Sequence, residues 1–305
     1  MKKLLALVLV IAMAFGMLTV AHAETAVTVP STIREGASIP AFITMPEKYD
    51  AATPTKLIVM IHGHGGNHNE WGGYDAIAKG CSENGAIVVT LDFPGCGAST
   101  ESFQQNTMTN MKQDVLDVIN YMKANYNIGE VDGFGYSMGG RIVLEMAAEN
   151  MFVFDAVAFI APAEDYENLK LLFGGPEKWV EYEKEAAEKG YITFTTIYGQ
   201  VQELSKAWFD DLAKYPDGLA EAAVANMANV PVIVVYAPDD EAVAPEVSQG
   251  VADVFNAPVV ISPRDGHSYS FYSQDPEVIA TVNESCIAFF YAPADFVSAP
   301  VEKAA

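Results

Sequence analysis

Apolar and polar positions follow two rhythms along this chain. Near the start, residues 26–33 and 38–45 alternate apolar and polar side chains, the period of half-buried strands, and the intervening "REGA" predicts an antiparallel pair. Alternation then gives way to short continuous apolar runs: "KLIVMIH" (56–62), "AIVVTLD" (86–92), "VDGFGYS" (131–137), "FDAVAFIAP" (154–162), "VPVIVVYAP" (230–238) and "APVVIS" (257–262). Helix-period stretches over residues 108–126, 138–150, 245–255 and 276–290 separate most of them. Fully apolar strands interleaved with helices predict an α/β fold, a mostly parallel sheet covered on both faces. In such a sheet, chemistry gathers at the carboxyl ends of the strands.

One connection breaks the rhythm. Residues 164–228 contain no convincing central strand. "GPEKWVEYEKEAAEKG" reads as a helix, with Pro176 near its start and Gly190 just past its end. "VQELSKAWFDDLAKYP" reads as a second helix, stopped by Pro216. An insertion of this length, leaving the sheet at its carboxyl edge, predicts a helical cap over a pocket. Its aromatic residues, Trp179, Tyr182, Tyr191, Phe194, Tyr198, Trp208 and Phe209, supply a small core for the cap and material to line an acyl pocket.

Composition adds the compartment. Lys2 and Lys3, an apolar run over residues 4–20 and the small-x-small site Ala21-His22-Ala23 have the order of a secretory signal peptide cleaved after Ala23. Residues 24–305 are then one exported domain, secreted or periplasmic, and no later segment approaches the roughly 20 apolar residues of a spanning helix. The formal charge of −23 repels nucleic acid and anionic lipid, so neither is an expected partner. Cys81, Cys96 and Cys286 are odd in number and show no framework spacing, which favours buried thiols.

Candidate chemistry starts at "GFGYSMGGR". Gly135-Tyr136-Ser137-Met138-Gly139 puts a serine where a buried strand turns sharply into a helix, the setting of a nucleophile elbow. Glycines are needed at the flanking positions because strand and helix approach too closely there for side chains. A serine hydroxyl needs a base. His267, in "PRDGHSYSF" after the last strand, can reach back over the sheet edge, whereas His62, His64 and His68 cluster in "HGHGGNHNEW". The base in turn needs an acid, and the strand-end "PDDEAVAP" offers Asp239 and Asp240. The order Ser, Asp, His is that of the α/β-hydrolase fold.

On "HGHGG", "LDFPGCGAS", "GYSMGG", "DDEAV" and "DGHSY", the chain resembles secreted serine esterases of the α/β-hydrolase fold. Within them it is most similar to the bacterial cinnamoyl (feruloyl) esterase-like group, in the wider superfamily of prolyl oligopeptidase-like hydrolases. The resemblance spans nearly all of residues 24–305 and implies a carboxylic ester hydrolase working through an acyl-enzyme on a small-molecule ester. It makes Ser137 the nucleophile and His267 the base. The Asp-x-x-Val spacing to Val243 selects Asp240, although Ala237 stands where a glycine is common. Glu164 and Asp165 are the alternatives where the acid lies one strand earlier. The backbone N–H groups of His64 and Met138 would form the oxyanion hole. Asp92 would fix a loop. No cofactor is implied, and no metal, since the Gly-rich histidine loop already has a role and no carboxylate spacing completes a hydrolytic metal site. A peptidase or amidase would use the same residues. A non-catalytic binding protein on this scaffold would be expected to lack one of them.

Overall fold

The structure, a computed structural model, describes residues 24–196, 199–294 and 296. The leader expected at residues 1–23 and the cap residue Tyr198 lie outside the described residues. The first strands, β1 (Thr25–Pro30) and β2 (Ser38–Thr44), pair antiparallel with Thr25 opposite Ile43. Strands and helices then alternate: β3 (Thr55–Ile61), α1 (Asp75–Glu83), β4 (Ile87–Leu91), α2 (Met108–Asn125), β5 (Ile128–Tyr136), α3 (Met138–Ala148) and β6 (Ala156–Ile160). The insertion contributes α4 (Tyr166–Leu172), α5 (Pro176–Lys189), β7 (Tyr191–Thr195), β8 (Val201–Ser205), α6 (Lys206–Leu212) and α7 (Leu219–Val224). After it come β9 (Val232–Tyr236), α8 (Pro245–Phe255), β10 (Val259–Ile261) and α9 (Pro276–Tyr291).

The central sheet has the order β1-β2-β4-β3-β5-β6-β9-β10, antiparallel at β1 and β2 and parallel from β4 onward. Continuous apolar sequence is explained by burial: every residue of β4 and β6, and Leu57 to Ile61 of β3, is buried. Each Val, Leu or Ile removed from water there contributes about 1.5–3 kcal/mol. The step from β3 to β4 runs one way across the sheet, and those from β5 to β6 and β9 to β10 run the other. Right-handed crossovers therefore put α1 on one face and α3 and α8 on the opposite one. Accordingly α9 packs on α1, while α7 bridges α3 and α8.

The change of direction between β3 and its neighbours opens a crevice at their carboxyl ends, where such folds bind ligands. Two segments meet there, the histidine loop after β3 and the turn from β5 into α3.

The insertion departs from the helical reading in one segment. The helix expected over 201–216 begins only at Lys206, because Val201–Ser205 pairs with Tyr191–Thr195 as a hairpin. Two local features decide this. Ser205 caps α6 by accepting the Trp208 N–H at 3.3 Å. In the preceding strand Gln202 and Leu204 point inward while Val201 stays 63% exposed. An apolar side chain outside and a polar one inside hide the two-residue period from a pattern search. The insertion has its own buried aromatic core, in which Trp179 and Trp208 pack on Phe173 and Phe209 packs on both tryptophans. It is tied down by Arg141, wholly buried, whose guanidinium donates to the carbonyls of Glu164 at 2.6 Å, Leu212 at 3.3 Å and Tyr215 at 3.4 Å. Cys81, Cys96 and Cys286 are buried free thiols, and burial pushes Cys81 up to about 12.

Candidate active site

Ser137 sits between β5 and α3 at φ 53°, ψ −117°, a backbone state that costs a non-glycine residue on the order of 1–3 kcal/mol. The end of β6 and the loop after it hold it there: its N–H donates to the Ile160 carbonyl at 2.9 Å and its carbonyl accepts from the Ala163 N–H at 3.0 Å. The glycine spacing has a steric cause. A Cβ on Gly139 would lie 2.2 Å from the Ile61 carbonyl oxygen, and one on Gly135 would lie 2.8 Å from Gly140 Cα.

His267 and Asp240 reach Ser137 from two other strand ends. The His267 Nε2 is 2.9 Å from Ser137 Oγ, and its Nδ1 is 2.8 Å from Asp240 Oδ2. With the Nδ1–H donated to the carboxylate, Nε2 is left with a lone pair for the serine hydroxyl. Asp240 also accepts the Tyr269 hydroxyl at 2.7 Å on Oδ2, and the N–H groups of Ala242 and Val243, both at 2.9 Å, on Oδ1. Burial alone would raise this carboxyl, but the hydrogen bond and charge of His267, with Tyr269 and Val243, hold it below the ordinary carboxylate value. Asp239 faces outward and, among the described residues, accepts the Gly266 N–H alone, at 3.2 Å. Glu164 takes the Ala220 N–H at 3.2 Å and Asp165 caps α4 through Asn168 at 2.7 Å, so neither joins the histidine.

Sequence reading did not single out Tyr136 and Tyr269. The Tyr136 hydroxyl donates to the His267 carbonyl at 2.6 Å and its ring lies 5.1 Å from the imidazole. Tyr269 bonds Asp240 and also accepts the Ala237 N–H at 3.0 Å. Both lie inside the quoted motifs, Tyr136 in the elbow and Tyr269 two residues after the histidine.

The three loop histidines have three separate fates. His62 Nε2 accepts the Phe93 N–H at 3.2 Å, so its Nδ1–H donates to the Gly63 carbonyl at 2.7 Å. Burial lowers it to about 4 and keeps it neutral. His64 is also lowered by burial to about 4, and its Nε2 meets Gln202 Oε1 of the hairpin at 2.8 Å among the rings of Phe103, Phe173 and Trp208. Gln202 in turn donates to Gln200 at 3.0 Å, and Gln200 to the Gly65 carbonyl at 3.1 Å, so the hairpin grips the loop. No group of three or more His, Cys, Asp or Glu among the described residues is placed to hold a metal ion.

His68 stacks on Phe42 at 3.7 Å and bonds Asp92, whose carboxylate also takes the His68 and Ala98 N–H groups at 2.6 and 2.7 Å. Burial opposes its charge, but the hydrogen bond of Asp92 and the nearby Glu24 carboxylate, 3.6 Å away, raise it to about 9. An imidazole raised in the folded chain stabilises it fully below the ordinary value of about 6.5, and that gain is lost as pH rises through about 9. His68→Gln is therefore expected to lower the thermal midpoint more at about pH 6 than at about pH 9.5, measured by unfolding scans of both proteins.

Of the proposed oxyanion donors, Met138 directly follows the serine and His64 belongs to the loop beside it. Met138 opens α3, so its N–H has no acceptor within that helix. Gly63, just before His64, is so close that a Cβ there would lie 3.4 Å from Ser137 Cβ.

A model of the alpha/beta hydrolase family matches residues 58–282. No curated protein matches the sequence significantly. Among solved structures, Est1E from Butyrivibrio proteoclasticus, with ferulic acid bound, superposes with TM-score 0.70 at 22% identity, covering 88% of this chain and 99% of its own. The esterase domain of a Rhodothermus marinus protein gives 0.60 at 19% identity, covering 88% and 97%. A thermostable carboxyl esterase from Bacillus coagulans, in complex with glycerol, gives 0.63 at 14% identity, covering 89% and 99%. These likenesses are likenesses of fold. The family match spans most of the chain, and with the strand order and the β5–α3 turn it establishes that the chain belongs to the alpha/beta hydrolase family.

Proposed function

We propose that this protein is an exported serine carboxylic ester hydrolase whose leader is removed after Ala23, acting on small-molecule esters with an aromatic, feruloyl-type acyl group. The observation that carries the reading is the unbroken chain from Ser137 Oγ through His267 to a buried, ionised Asp240. His267 Nε2 takes the hydroxyl proton as Ser137 Oγ bonds to the ester carbonyl carbon. The N–H groups of Met138 and His64 receive the negative charge that develops on the carbonyl oxygen, each worth about 2.7–4 kcal/mol in the transition state. The C–O bond to the alcohol then breaks, and the imidazolium returns its proton to the departing oxygen. Water, deprotonated by the same Nε2, releases the acid and restores the serine. Nothing in this sequence of steps needs a cofactor.

Support for an aromatic acyl group comes from the rings of Phe103, Phe173 and Trp208 around His64, the residue that would carry one oxyanion donor. The ferulic acid held by the Est1E structure, of the same fold, points the same way. The test is a substrate panel: methyl ferulate, a short-chain p-nitrophenyl ester and a proline anilide, with protein recovered outside the cell and expected to begin at Glu24. Ferulate is expected to give the highest kcat/KM. Turnover of the short ester alone would remove the acyl assignment and keep the hydrolase. Turnover of the anilide alone would make the protein a peptidase.

A further inference from the structure

A buried carboxylate that takes no part in these steps lies between the two loops flanking Ser137. Glu70 is 1% exposed. Its Oε1 accepts the Gly63 N–H at 2.7 Å and its Oε2 accepts the Tyr272 hydroxyl at 2.6 Å. The loop folds over it so tightly that a Cβ on Gly66 would lie 2.4 Å from Oε1. Glu70 and Trp71 both adopt left-handed backbone, at φ 47° and 53°, so the turn is strained to turn this side chain inward. Tyr74, Tyr136, Cys96 and His267 lie within its electrostatic reach.

Each partner leads to the proposed machinery. Gly63 precedes His64, and its carbonyl is held by His62 Nδ1–H at 2.7 Å and by the Gly66 N–H at 3.1 Å. In a trans peptide the carbonyl and the following N–H point in opposite directions, so pinning Gly63 on both sides aims the His64 N–H. On the other side, Tyr272 follows His267 by five residues and lies close to Tyr136, whose hydroxyl holds the His267 carbonyl at 2.6 Å. One carboxylate thus joins the loop of the oxyanion donor to the loop of the base.

We propose that Glu70 is a positioning residue: its two oxygens lock the His64 loop to the His267 loop and hold both in register about Ser137. The inference rests on the ester-hydrolase reading above. Misplacing a reacting group by about 1 Å can cost on the order of 100-fold in rate. Glu70→Ala is therefore expected to lower kcat per active site by about 100-fold with KM within about threefold, active sites being counted by labelling with a fluorophosphonate. Glu70→Gln can still accept the Gly63 N–H and donate to the Tyr272 oxygen, and is expected to stay within about fivefold of the parent. Tyr272→Phe, at a half-exposed position that folding tolerates, is expected to lose about tenfold in kcat.

The inference is overturned if Glu70→Ala keeps kcat per labelled site within about threefold, or if Glu70→Gln falls as far as Glu70→Ala. Should Glu70→Ala fail to fold, an unchanged kcat in Tyr272→Phe overturns it alone. A parent protein that neither labels nor hydrolyses any ester would instead sink the hydrolase reading itself, an outcome distinct from these.

Discussion

Ser137→Ala is expected to lower kcat for ester hydrolysis by about 10⁴- to 10⁶-fold while leaving KM within a few-fold. The reason is that the substitution removes the atom proposed to bond to carbon and touches little else. The serine backbone is held by Ile160 and Ala163 through main-chain hydrogen bonds, which alanine keeps. The φ of 53° is as awkward for alanine as for serine, so the fold is expected to be equally stable. The proposed oxyanion donors and the insertion remain, and with them the proposed binding site. Steady-state kinetics on the purified variant, with fluorophosphonate labelling as a second readout, checks this. A variant keeping more than about 1% of parental kcat would remove the acyl-enzyme mechanism.

The second large effect separates two neighbouring acids. Asp240→Asn is expected to lower kcat by about 10⁴-fold, and Asp239→Asn to stay within about fivefold. Asp240 accepts four donors, from His267, Tyr269, Ala242 and Val243. An asparagine has one acceptor oxygen and an amide nitrogen that only donates. If its oxygen serves the two loop N–H groups, the amide faces His267 Nδ1 and forces the imidazole proton onto Nε2, where it blocks proton transfer from Ser137. Among the described residues Asp239 meets only the Gly266 N–H, at 3.2 Å, and it is exposed, so its loss is expected to be absorbed by solvent. Equal losses in the two variants would mean that the acid is wrongly assigned.

How much of this was legible depended on the range of the forces involved. The parallel sheet was readable because burial on both faces writes itself as continuous apolar sequence, as in "AIVVTLD" and β4. The elbow was readable because its constraint is local. Gly135 and Gly139 stand at fixed offsets from Ser137 since strand and helix collide there otherwise. The choice between Asp239 and Asp240 was not readable from the residues alone, and only the resemblance selected one. In the fold, Asp240 turns inward to Tyr269, a residue 29 positions away. The cap hairpin was misread because Gln202, polar and buried, is bonded to His64 138 positions away.

Resemblance added Asp240 and the pairing of His267 with it; by itself, the sequence determined the alternation of strands and helices, the insertion and the serine turn. These follow from periodicity and from steric rules acting over a few residues. Only the tertiary structure decided which acid faces the histidine, which hydroxyls brace it, what the three loop histidines do and where Glu70 points. A side chain's hydrogen-bond partner is set by the path of segments distant in sequence, and each polar group buried among them must be paired on the geometry they create.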